Sequence, residues 1–191
     1  MIPDMDRMEK RLLEIETKRD RALQLSRELI RNAGKAITLL HARDLKGAKS
    51  LFQKLEANRK ALKAVEKGLE YYTLQAHQEY VEAKALESII ASRRIPDAGS
   101  LGEEAAPYIL GLMDVVGELK REAFEALRKS DLNDAKAYYA FMLDIYDSTL
   151  HMRFASSILP DFRRKQDSAR IQIEGTINEI LYLEARAIGK A

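Results

Sequence analysis

Apolar residues recur along the first forty positions at spacings of three, four and seven: Met8, Leu12, Ile15, Ala22, Leu29, Ala33 and Leu40. That period is the stripe of an amphipathic α-helix from Asp4 to about Ala42, interrupted at Arg19 and Ser26. Asp44 and Gly47 punctuate the pattern, and a second helical run extends from Leu45 to Val65 before Gly68 breaks it. A third run takes Leu69 to Ser92. Pro96, Gly99 and Gly102 crowd into RRIPDAGSLGEE (93–104), which reads as a loop. A fourth helix covers Glu103 to Lys129. Asp131 is placed to N-cap a fifth, running to Ser157, and Pro160 opens a sixth with Gly189 just past its end. No stretch alternates with the period of two that a strand needs. The pattern predicts a single all-α domain over residues 1–191, an antiparallel α-helical bundle of about six helices.

Composition narrows the class. Nine glycines and four prolines in 191 residues favour long helices over turn-rich sheets. Absence of cysteine excludes disulfides and thiolate metal sites and suits a reducing cytoplasm. No apolar run approaches the roughly 20 residues that span a bilayer, so no membrane partner is expected. Net charge is only +2, so any nucleic-acid contact must come from a local basic stripe. The first helix, nearly 40 residues long, would measure about 60 Å. That outruns a domain whose radius of gyration is roughly 16 Å, which predicts self-association.

Two acidic pairs carry the candidate chemistry. QEYVEA (78–83) sets Glu79 and Glu82 one turn apart, within a strip that also holds Gln75 and Gln78. YILGLMDVVGEL (108–119) is the most apolar stretch of the chain, yet Asp114 stands inside it with Glu118 four residues on. Gly111, Asp114, Glu118, Arg121 and Glu125 form its polar strip. Two readings stay open: a mostly buried helix showing one narrow edge to water, or a polar seam facing the strip of the third helix. In the second, four carboxylates would approach closely enough to require a cation. Oxygen-only ligands suit Mg²⁺, with Mn²⁺ as the alternative, and such an ion serves phosphodiester hydrolysis. Di-iron chemistry wants Glu-x-x-His pairs, and none of His41, His77 and His151 has a glutamate three residues before it.

Arg27, Arg31 and Lys35 form a basic row at i, i+4 and i+8, either a solvated face or a phosphate-binding one. Tyr71, Tyr72 and Tyr80 are core candidates that could also stack on bases. The sequence has no phosphate-cradling glycine loop, no Ser–His–Asp signature and no dinucleotide fingerprint.

Three segments together resemble the translin family, and within it the TRAX-like branch: LSRELIRNAGKAITLLHAR (25–43), QEYVEA, and YILGLMDVVGELKRE (108–122). PDFRRKQDSARIQIEGTINEI (160–180) matches more loosely. The compact form is similar to single-gene, archaeal-type members. The resemblance implies an all-α bundle of about seven helices, a closed homo-oligomeric shell, an octamer, and RNA or single-stranded DNA as partner. For the TRAX-like branch it implies an Mg²⁺-dependent endoribonuclease. The catalytic and metal-holding acids would fall on Glu79, Glu82 and Asp114, with Glu118 as neighbour. Arg27, Arg31 and Lys35 are the candidate nucleic-acid contacts. A non-catalytic binder of translin type and a helical scaffold with surface acids are the rival expectations.

Overall fold

Each predicted stripe folds as a helix in the computed structural model, which describes residues 4–188 and so leaves Gly189 outside. Seven helices and no strand occur among the described residues: α1 (Met5–His41), α2 (Leu45–Val65), α3 (Glu70–Ser92), α4 (Ala98–Leu101), α5 (Ala105–Arg128), α6 (Leu132–Thr149) and α7 (Phe162–Ile188). No helix among them is long and apolar enough to cross a membrane. The chain divides into two units, one reaching to Ala83 and the other starting at Lys84, so the division falls inside α3.

In the first unit α2 folds back along α1. The Asp44 carboxylate accepts from the Gly47 backbone N–H at 2.9 Å, capping α2. Contacts then step in opposite directions along the two helices, with Asn32 donating to Asn58 at 2.9 Å and Lys18 reaching the Lys67 carbonyl at 2.6 Å. The packed face of α1 carries Ala22, Leu25, Leu29, Ala33, Ala36, Ile37 and Leu40, all buried. Ser26 is buried with them, and the Arg19 guanidinium lies over the Tyr72 ring at 5.1 Å, so both apparent interruptions belong to the packed structure. Before Arg19 the stripe is exposed. Met5, Leu12, Leu13 and Ile15 are each about half exposed or more. Gly68 ends the α2–α3 turn at φ +80°, a backbone region open to glycine at no steric cost.

In the second unit α5, α6 and α7 pack on one another. Ala126, Leu127, Ala135 and Ile180 form one cluster of their core. The predicted loop holds a single extra turn, α4, because Asp97 caps it by accepting from the Ser100 N–H at 2.8 Å and Gly102 closes it at φ 63°. Asp131 caps α6 as expected, accepting from the Asp134 N–H at 2.9 Å. That helix stops at Thr149 rather than Ser157. Side chains satisfy the carbonyls at its end: Gln166 donates to the Thr149 oxygen at 2.8 Å, and Arg153 to those of Leu150 and Met152 at 2.7 Å. Helix α7 begins two residues after Pro160, at Phe162.

Candidate metal and nucleic-acid site

In the first unit, helix geometry sorts QEYVEA into two faces. Tyr80, Val81 and Ala83 are buried, whereas Glu79 and Glu82 lie on the half-buried edge, one turn apart. What turns Tyr80 inward is a hydrogen bond from its hydroxyl to Glu56 Oε1 on α2 at 2.6 Å, with the Arg59 guanidinium 5.1 Å over the ring. One turn earlier, His77 Nε2 meets Glu66 Oε2 at 2.6 Å and the Thr73 hydroxyl donates to the same oxygen at 2.8 Å. Burial pushes the Glu66 carboxyl up, but the bond and charge of His77, the Thr73 hydroxyl and Lys63 together outweigh it and hold it below the ordinary range. This segment of α3 is thus fixed on α2, and the two glutamates ride on a rigid element.

The predicted tyrosines separate. Tyr80 belongs to the core, while Tyr71 is 85% exposed and stands edge-to-face with Tyr72 at 5.6 Å.

In the second unit, Asp114 and Glu118 share the half-buried edge of α5. The inward polar line continues to Glu122, which is 1% exposed, rather than to Arg121 and Glu125. Arg121 is exposed. Glu125 belongs to the surface, where Arg128 and then Lys129 hold its carboxyl down to about 2. Asp114 is engaged by the Lys165 ammonium from α7. The two line a cavity of about 70 Å³ together with Met113, Gly117, Ser168 and Gln172. Lys165 and Glu122 were not among the residues singled out by spacing. Neither carries a local signal, since their environment is made by other helices.

The basic row of α1 is exposed throughout, with Arg27 Nε donating to the Leu23 carbonyl at 3.2 Å. The two acidic pairs are carboxylates alone, the donor class of a hard divalent ion. Within either unit, among the described residues, no group of three or more such side chains is gathered around one point. The observation that fits an ion is at Asp114, which already holds a positive charge in a small polar cavity.

The helical architecture is that of translin-type proteins. Over 95% of this chain and 98% of the other, the structure matches the crystal structure of apo-NeC3PO with a TM-score of 0.86 at 26% identity. It matches AfC3PO in complex with duplex RNA at 0.89 and 28% identity, over 96% and 98% of the two chains. AfC3PO alone gives 0.88 over the same shares. No protein-family model matches the sequence. A relative from Methanocaldococcus jannaschii, an uncharacterised protein, is 33% identical over 167 residues, 85% of this chain and 75% of that one. The chain belongs to one family with that archaeal protein, and its structural neighbours are proteins of C3PO or translin type.

Proposed function

We propose that the protein is a cytoplasmic, divalent-metal-dependent endoribonuclease of the TRAX-like kind, acting on single-stranded or short duplex RNA inside a closed homo-oligomeric shell, an octamer. The observation that carries this reading is the presence of two carboxylate pairs on half-buried helix edges, in a fold that in AfC3PO accompanies duplex RNA. Glu79, Glu82, Asp114 and Glu118 would hold Mg²⁺, with Mn²⁺ equally suited to the oxygen donors. A bound Mg²⁺ supplies an acidified water and stabilises charge on a phosphoryl oxygen. The protein's own part is to fix the carboxylates, through Tyr80–Glu56 on α3 and through the packing of α5, and to hold the RNA. Arg27, Arg31 and Lys35 are placed to do the holding, as an exposed row that phosphates can reach. The uncovered apolar start of α1 supports the shell, since another subunit would bury it.

The test is cleavage of a labelled RNA in Mg²⁺ against EDTA, for the wild type, Glu82→Gln and Asp114→Asn. Both substitutions keep size and hydrogen bonding but remove the charge that holds an ion. Cleavage is expected to stop while RNA binding and the helical spectrum persist. Cleavage by either variant at the wild-type rate would sink the acid assignment. A binder of RNA or single-stranded DNA without cleavage is the second reading, favoured by the Lys165 ammonium already seated on Asp114. A wild type that binds RNA and leaves it intact in Mg²⁺ would establish it.

A further inference from the structure

We propose that Lys165 is a tethered counter-cation of the acidic site: it neutralises Asp114 while the site is metal-free, yields it to a divalent ion, and then pairs with a phosphate of the RNA. The inference rests on the reading of Asp114 as a metal-holding residue. It adds a residue from α7, and a coupling between ion and substrate, that the carboxylate pattern does not contain.

The argument begins with Asp114 itself. Its neighbours on α5, Met113, Val115 and Val116, are buried, and its own side chain is only 26% exposed. A carboxylate so placed is costly without a nearby positive charge. Lys165 provides one, with its side chain 15% exposed. Helix stability does not explain a lysine there. Lys165 is the fourth residue of α7, where the N-terminal end of the helix dipole disfavours cations, and Arg163 and Arg164 stand beside it. An anion must offset that placement, and Asp114 does so.

The chemistry of the pair suits exchange. Arginine, with its fixed two-pronged head, is the usual choice for a permanent buried ion pair; lysine offers a compact charge on a flexible stem. The cavity beside the pair leaves the head room to move, since about 70 Å³ holds more than one water. Gly117 helps keep that space open: a methyl group there would stand 3.5 Å from Gln172 Oε1. Ser168 and Gln172, joined at 3.3 Å, add polar atoms to the wall. With a divalent ion held at Asp114, the Lys165 ammonium would be left without that anion inside a confined polar space. It would then be free to pair with a non-bridging phosphate oxygen, so that metal occupancy would strengthen RNA binding.

Mn²⁺ binding, followed by the electron paramagnetic resonance signal of the free ion in the absence of RNA, tests the exchange. Lys165→Met removes the internal competitor and is expected to tighten Mn²⁺ binding at least about tenfold, the equivalent of one hydrogen bond to a charged group. Lys165→Arg keeps the charge in a less exchangeable pair and should bind Mn²⁺ no more tightly than the wild type. Lys165→Gln serves if the methionine variant does not fold, and either neutral variant should gain more in Tm on adding Mn²⁺ than the wild type gains. Unchanged Mn²⁺ affinity in the neutral variants would overturn the inference and leave the metal reading standing. Absence of Mn²⁺ binding in the wild type and the neutral variants alike would overturn both. For the coupling, a short 2′-O-methyl RNA is titrated with and without Mn²⁺. Mn²⁺ should strengthen binding to the wild type and lose that effect in Lys165→Met; an equal effect in both would refute the phosphate contact.

Discussion

Replacing Arg27, Arg31 and Lys35 together with alanine should change how RNA binding responds to salt more than anything else about the protein. The three side chains lie on one exposed face of α1, about 6 Å apart along the axis, so a single strand can run past all of them. If each neutralises one phosphate, the row contributes about −2.7 to the slope of log K against log salt for a duplex, and about −2.1 for a single strand. Between 50 and 200 mM salt, that amounts to a loss of about 40-fold or about 20-fold attributable to the row alone. In the triple variant this part of the salt response disappears, and each single variant should remove about a third of it. Arg27 is expected to give the least, because its Nε already donates to the Leu23 carbonyl. Folding stability should move by no more than about 0.5 kcal/mol per exposed site. Fluorescence anisotropy with a 2′-O-methyl RNA across a KCl series measures the slope directly. A triple variant with the wild-type slope would refute the row as a phosphate contact and return it to an ordinary solvated face.

Two further outcomes follow from the structure. Because His77, Thr73 and Lys63 hold the folded-state Glu66 carboxyl below its ordinary value of 4.5, its stabilising contribution is complete above that pH and fades as pH falls through the lowered value. Urea midpoints of the wild type and Glu66→Gln should therefore differ at pH 6 and converge toward pH 3; a gap that stays constant would show that ionisation of Glu66 is not what stabilises this turn. Leu12→Glu with Ile15→Glu places charge on the uncovered stripe of α1, where both side chains are about half exposed or more. If the proposed shell forms, light scattering should then show its mass reduced toward the 21.7 kDa subunit, and a mass equal to that of the wild type would mean that this stripe is not a subunit contact.

Most helix boundaries were legible because their determinants are local. Leu45–Val65 is bounded by an aspartate cap and a glycine turn, and both act within four residues of the helix end. The end of α6 was not legible. Residues 150–157, LHMRFASS, contain neither proline nor glycine, and the carbonyls at its end are taken by Arg153 and by a glutamine 17 positions after Thr149. Burial on α5 shows the same limit. Spacing alone cannot choose between Arg121 and Glu122 as the next inward residue after Glu118, and packing chooses the glutamate. Tyr71 and Tyr80 are one residue type on one helix, yet only Tyr80 has Glu56 to accept its hydroxyl proton and turn the ring inward. The acidic pairs could be read because three- and four-residue spacing is a property of a single helix. The counter-charge of Asp114 could not, since Lys165 reaches it from 51 positions away. An acid inside an apolar run therefore indicates where a positive charge has to be found. Whether that charge is a lysine, a metal ion or each in turn is decided by the helices that fold around it.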